Sequence, residues 1–303
     1  MAIVVDYSHL IYRNIFANKK DIVNNPDFLS HLILTSLFSI IKKFGVHKEK
    51  PLILAFDCKR ENSWRHAFYA KEGLQFDEYT GRGYKAHRTK DPSFPWEEMY
   101  TVLSDLKEML KSGSDVQVIE HPMAEGDDIV YVSTKFYPET TIVSSDKDFR
   151  QLLSPRVKIF DPLKKAYIEE DNPKNFLIEH ILTGDVSDGI LGLPKPKNSR
   201  GERTKVRIGE KTAKKYVSEL EFLLADADLR ARYNFNKTLI DLSEIPAQIE
   251  SEIIDAMKEP QFNWNQGNAM KFFMKYRLAK LFSDIKLLKA TTSMEEKGIG
   301  TLF

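Results

Sequence analysis

Sulfur and long apolar runs are both scarce in this chain. Among 303 residues there is one cysteine, Cys58. That excludes an intrachain disulfide and a thiolate zinc site, and it is compatible with a reducing, cytoplasmic compartment. No apolar run approaches the roughly 18 residues of a membrane span. LILTSLFSII is long, but polar residues bound it and a helical period accounts for it. The opening MAIVVDYSHL has no basic segment ahead of an apolar one, so no signal peptide is expected. No glycine-rich phosphate loop ending in Gly-Lys-Ser/Thr occurs, so nothing calls for a nucleoside triphosphate. The histidines show no ligand spacing. His9, His31, His47, His66, His121 and His180 read as core or surface residues.

Net charge is equally uninformative, since 45 Lys/Arg against 44 Asp/Glu leaves +1. The distribution says more. Residues 59–90 hold eight Lys/Arg and four Asp/Glu, and residues 194–215 hold nine and two. Set against these basic segments are nine carboxylates: Asp6, Asp57, Glu125, Asp127, Asp128, Asp146, Asp148, Asp185 and Asp188. Asp6 and Asp57 close the apolar runs AIVVD and LILAFD, and Asp146 and Asp148 follow TTIVSS. Acids at strand ends converge on one sheet edge, where they repel and their titrations couple. A divalent cation relieves that repulsion. Oxygen ligands without sulfur or imidazole favour magnesium, with manganese as a substitute, over zinc. An acidic centre flanked by basic segments suits a polyanion gripped by its backbone.

At 42% hydrophobic the chain can bury a substantial core. Its first half alternates: AIVVD, PLILAFD, DVQVIE and TTIVSS read as strands, with helices over 27–44, from Pro95 onward and over 125–136. DKDFRQLL reads as a short helix, and RVKIF and KAYIE as two more strands. The pattern predicts an α/β fold, with a mostly parallel central sheet flanked by helices. In such sheets ligands bind beyond the carboxyl ends of the strands. The second half reads as helices over 173–183, 210–223, 229–242, 246–257 and 268–285, placing a boundary near residue 183. An α/β domain of 1–183, a helical region of 184–290 with a basic loop at 194–208, and a flexible tail of 291–303 are expected. Each acid also has an ordinary explanation, because acids favour the first turn of a helix. Asp185 and Asp188, at i and i+3, are expected to share one helical face.

The order of these motifs resembles the flap endonuclease and 5′→3′ exonuclease family, most closely its phage ribonuclease H branch. The resemblance runs from Asp6 through Asp57, Glu125-Gly126-Asp127-Asp128 and Asp146/Asp148 to GDVSDGILGLP at 184–194. It continues through Ile208-Gly-Glu-Lys-Thr-Ala213 and Leu239–Pro246, covering roughly residues 2–285. It implies a PIN-like nuclease fold, a helical arch over 59–94 and a helix–hairpin–helix-like element for duplex DNA. Gly126 stands where the family commonly has alanine. Residues 195–207 interrupt the compact hairpin, and 70–83 separate basic residues that stand closer in the family. Tyr84-Lys85-x-x-Arg88 matches an arch motif.

The expected function is therefore a magnesium-dependent, structure-specific 5′ nuclease using two metal ions. Its expected substrates are RNA in RNA–DNA hybrids and DNA in duplexes or flaps, as in primer removal during lagging-strand replication. Asp6, Asp57, Asp127, Asp128 and Asp146 are expected around the first ion, and Asp148, Asp185 and Asp188 around the second, with Glu125 either shared between them or behind the ligands. Lys85 and Arg88 are expected on the scissile phosphate. Arg65, Tyr84, His87 and the arch aromatics are expected to contact unpaired nucleotides. Gly192, Lys205, Arg207, Gly209, Lys211 and Thr212 are expected to contact duplex phosphates. The family implies a monomer that meets single-stranded-DNA-binding protein and a sliding clamp, the latter through Gly298–Phe303. Two readings compete: a non-catalytic DNA-junction module of the same fold, and a magnesium phosphatase acting on small phosphates.

Overall fold

A computed structural model describes residues 1–25, 28–73, 75–76, 83–86, 88, 90–197, 201, 206–258 and 260–292. His87, Lys205, Tyr79, Arg82 and the tail from residue 293 lie outside the described residues. Three strands are buried at every position: β1 (Ala2–Asp6), β2 (Leu52–Phe56) and β4 (Thr140–Val143). Continuous apolar runs of this kind mark strands covered on both faces. With β3 (Gln117–Glu120), β5 (Val157–Asp161) and β6 (Ala166–Ile168) they form one sheet in the order β3-β2-β1-β4-β5-β6. The first five strands run parallel, and β6 returns antiparallel to β5.

Strand alternation assigns each side chain to a face. Ile3 and Val5 join one core with Leu52, Leu54 and Phe56. That face is covered by α1 (Tyr7–Ala17), α3 (Phe28–Phe44), α5 (Trp96–Gly113) and α12 (Gln266–Lys275). Ala2 and Val4 join the other core with Ile53 and Ala55, under α6 (Gly126–Phe136) and α11 (Ala247–Lys258). The chain builds outward from β1 to β3, then restarts at β4 on the other side. The sheet therefore changes direction between β1 and β4, and the crevice beyond their carboxyl ends is where a ligand fits.

A third core lies beside the sheet. It gathers α7 (Pro173–Thr183), α8 (Glu210–Ser218), α9 (Leu220–Leu224) and α10 (Ala227–Ile240) around a two-strand hairpin, β7 (Gly184–Asp185) and β8 (Ile190–Leu191). Asn236, fully buried on α10, donates to the carbonyls of Ile181 and Leu191 at 3.0 and 2.9 Å and ties the hairpin to the helices.

Several expectations change here. The boundary near residue 183 divides the sequence but not the packing, because α11, α12 and a 3₁₀ segment at 279–288 return to cover the sheet. The helix expected over 268–285 ends at Tyr276, since Arg277 takes a left-handed φ of 53°. The helix expected over 210–223 divides at Glu219. Helix α1 was not legible, because YSHLIYRNIFA places polar residues among its apolar ones. Helix α4 (Trp64–Glu72), inside the expected arch, was also not legible. The interrupted hairpin proves to be closed at its base: Lys195 N–H donates to Val206 and Ile208 N–H to Leu193, at 3.0 and 2.8 Å.

Candidate active site at the carboxyl edge of the sheet

Helix capping positions most of the acids. Asp6 caps α1, accepting from His9 N–H at 3.2 Å, and its other oxygen accepts from Ser144 Oγ at 3.0 Å. Asp57 accepts from Gly126 N–H at 2.7 Å, at the start of α6. Glu125 and Asp128 form a reciprocal capping box on the same helix. A methyl group at Gly126 would stand 3.0 Å from Asp57 Oδ1 and 3.5 Å from Asp6 Oδ1, so glycine lets both carboxylates close on the helix end. Ser144 Oγ also accepts from Asp146 N–H, and Asp146 Oδ1 from Asp148 N–H, each at 3.0 Å. The ordinary explanation for these acids and the functional one therefore hold together: the caps aim them.

Asp6, Asp57, Asp127 and Asp146 form one electrostatic set. Burial pushes the Asp6 carboxyl well above the usual carboxylate range, and repulsion from Asp57 and Asp146 adds to it. Asp127 is raised in the same way by burial, Asp6 and Asp146. Asp57 is raised by burial and by Glu125. Buried carboxylates that repel one another in this way are the chemistry of a cation site. His9 reaches this set, with Nδ1 3.4 Å from Asp146 Oδ2 and Nε2 3.3 Å from Ser145 Oγ.

A second group joins Asp148, His180 and Asp185. Among the described residues, this trio and Asp6/His9/Asp146 each hold potential ligand atoms within 4.8 Å of one another. Burial and Asp146 push Asp148 up to about 7. Burial works against ionisation of Asp185, but His180, Ser187 and Lys147 together hold it far below the usual range. Both groups thus place an imidazole beside the carboxylates, where the sequence predicts oxygen ligands alone. Sequence spacing missed it because His9 lies three residues past Asp6 on α1, and His180 meets Asp148 only through the packing of α7.

The other expected ligands already have cations. Asp128, fully buried, accepts from Trp64 Nε1 at 3.0 Å and pairs with Arg65 Nη1 at 2.7 Å. It faces away from the crevice as a helix cap and the partner of a buried arginine. Glu125 accepts from Lys85 Nζ at 2.9 Å and from Tyr84 Oη at 2.8 Å, and Arg65 lies 3.6 Å away. Burial alone would raise Glu125, yet Lys85 and Arg65 override it and bring it to about 2. Asp188 pairs with Arg88 at 2.6 Å and Lys85 at 3.5 Å. Its carboxyl and that of Asp185 go to different partners, because Asp185 is the extended cap of the three-residue 3₁₀ turn that carries Asp188 and not a residue of the same helix.

The nucleic-acid contacts expected from the arch change most. Arg65 and Tyr84 are each 2% exposed and serve the acids from below. Trp64 and Tyr69 are buried, and Phe68 and Phe76 pack on Phe235 of α10 with ring centroids 5.6 and 4.8 Å apart. Tyr69, Phe68 and Phe76 belong to the third core, and Trp64 to the core under α6 and α11. Lys85 is also buried, with a left-handed φ of 53°, whereas Arg88 is half exposed. Gly192 is buried where a Cβ would stand 2.4 Å from the Thr183 carbonyl, so it serves the hairpin. Gly209 and Lys211 are exposed at the N-terminus of α8, with Thr212 and Arg207 half-buried beside them. Arg207 Nη1 donates to the Gly192 carbonyl at 3.3 Å.

Two family models meet on this chain. The model of the 5′-3′ exonuclease N-terminal, resolvase-like domain matches residues 1–179, and that of the T4 RNase H C-terminal domain matches residues 174–288. The chain belongs to the 5′-3′ exonuclease family and is a phosphodiester-hydrolysing 5′ nuclease. It is 27% identical to the ribonuclease H of Enterobacteria phage T4, over 93% of this chain and 94% of that one. It is 26% identical to the thermostable DNA polymerase I of Thermus aquaticus, matching 97% of this chain but only 34% of that protein's length. In fold it is similar to the bacteriophage T5 D15 flap endonuclease, with a TM-score of 0.56 at 16% identity, over 85% of this chain and 98% of that one. Among the described residues no helix is long and apolar enough to cross a membrane.

Proposed function

We propose that this nuclease depends on magnesium, with manganese as a substitute, and removes nucleotides near 5′ ends of RNA in RNA–DNA hybrids and of DNA in duplexes or flaps. The observation that carries this is the convergence of Asp6, Asp57, Asp127 and Asp146 at the sheet's switch point, where none of the four forms a direct ion pair with a lysine or arginine among the described residues. In this reading those four hold the first ion and Asp148, His180 and Asp185 serve the second. The fit lies in the donor set and in two buried polar atoms without hydrogen bonds, on Asp148 and His180. Bound there, divalent ions supply an activated water and neutralise the leaving oxyanion.

The chain's own residues do the rest. Ser144, Gly126 and the α1 N-terminus hold the acid oxygens in place. Arg88, half exposed at the crevice rim, exchanges Asp188 for a substrate phosphate, and Lys85 lies behind it as a second positive charge. The exposed N-terminus of α8 with Lys211 receives a duplex phosphate through free N–H groups. This arrangement grips backbone and reads no bases. The family supports primer removal in replication as a monomer, with single-stranded-DNA-binding protein and a sliding clamp as partners. Residues 298–303 are the proposed clamp peptide, and their deletion is expected to abolish clamp stimulation. A 5′-labelled flap and an RNA–DNA hybrid, each incubated with magnesium and with EDTA, test the proposal. Short 5′ products in magnesium alone are expected; EDTA-insensitive cleavage would overturn it.

A further inference from the structure

His180 sits on α7 with its ring 5% exposed, between two carboxylates. Its Nε2 is 3.0 Å from Asp185 Oδ2, which also receives Lys147 Nζ at 3.2 Å. The other Asp185 oxygen accepts from the Ser187 backbone and hydroxyl. An ionised carboxylate only accepts, so Nε2 carries the hydrogen, and the tautomer this selects presents a lone pair at Nδ1. That Nδ1 faces Asp148 Oδ1 at 3.6 Å, and both atoms are buried without a hydrogen-bond partner. Two lone-pair atoms facing each other across such a gap repel unless a proton or a metal ion lies between them. The gap is long for a hydrogen bond. It suits two ligands of one ion, which at roughly 2.1 Å from each are held about 3 to 4 Å apart. A carboxylate behind the opposite ring nitrogen is the arrangement that orients ligating histidines. His9 differs, since both of its ring nitrogens have partners and neither is buried without one.

We propose that His180 Nδ1 and Asp148 Oδ1 are direct ligands of the second divalent ion, that Asp185 orients His180 from behind, and that the nitrogen donor makes this site prefer Mn²⁺ over Mg²⁺. Imidazole suits first-row transition ions, whereas Mg²⁺ keeps to oxygen. The inference rests on the metal-dependent reading above but adds a specificity-determining residue to it. Pulsed electron paramagnetic resonance of the full chain loaded with Mn²⁺ tests it through nitrogen-14 modulation. His9→Ala is expected to keep that modulation, and His180→Ala in the same background to lose it. Calorimetry on His180→Ala is expected to show one Mn²⁺ site weakened by about tenfold or more, with Mg²⁺ affinity changed by less than about threefold. His180→Gln, close in volume and able to donate to Asp185, serves if the alanine variant does not fold, and is expected to match its ion binding. Nitrogen modulation absent from His9→Ala, or Mn²⁺ affinity unchanged in the His180 variants, would overturn the proposal and leave His180 a bridge between two aspartates. Failure of the underlying reading looks different: the wild-type chain would bind neither ion and show no EDTA-sensitive flap cleavage.

Discussion

Two sets of acids share the crevice, and their surroundings differ. Asp6, Asp57, Asp127 and Asp146 make no direct ion pair with a lysine or arginine among the described residues, and burial together with repulsion from nearby carboxylates raises the first three. Glu125, Asp128, Asp185 and Asp188 each pair with a lysine or arginine within 4 Å. The contrast separates carboxylates that await a cation from those that already have one and use it to hold shape. Sequence order alone gives both sets the same appearance.

The sharpest way to break this contrast is Asp146→Asn. It removes charge from the set without cations, and turnover should fall by about a thousandfold or more while DNA binding is largely kept. Single-turnover cleavage of a labelled flap beside a binding titration measures both; near-wild-type turnover in magnesium would dissolve the distinction. On the other side, Arg65→Met should act on stability first. It leaves Asp128 as a buried charge without its partner, at a cost of about 3–5 kcal/mol. Urea unfolding reads this directly, and a loss of DNA affinity at unchanged stability would return Arg65 to the substrate interface.

Proton linkage gives a third comparison. In the metal-free fold Asp148, raised to about 7, together with Asp6, Asp57 and Asp127 holds protons that the unfolded chain releases above about pH 4. Stability should therefore fall as pH rises from about 4 to 7. Glu125, lowered to about 2, has the opposite sign, and its contribution is lost only as pH drops below about 4. Calorimetric melting should show Tm several degrees lower at pH 8 than at pH 5 without metal, with the difference shrinking in saturating magnesium. A Tm that rises over this window without metal would contradict the raised acids. The smallest effect lies outside both sets. Lys211→Ala at the α8 N-terminus should weaken duplex binding evenly across sequences and reduce the salt slope by about one. An unchanged slope in a salt titration would remove that helix from the interface.

The acids show where local reading works and where it stops. Strand ends and helix caps are local, so Asp6, Asp57, Glu125 and Asp146 were legible at their places along the chain. Partners are not local. Asp128 differs from Asp127 by one residue, yet a helix turns one to the crevice and the other to Arg65. Asp185 and Asp188 separate because a hairpin replaces the expected helix. The arch aromatics read as base-stacking groups, and Phe235, far along the chain, draws Phe68, Tyr69 and Phe76 into the core instead.

By itself the sequence determined the strand order of events, the parallel α/β class, the set of acids and the family, because apolar periodicity and acids at element ends are local signals. Only the tertiary structure decided which acids lack a cation, which arginine is buried, and that His9 and His180 join them. Those outcomes depend on distances between segments far apart in the chain, such as Asp6 and Ser144, 138 residues apart, that packing alone sets.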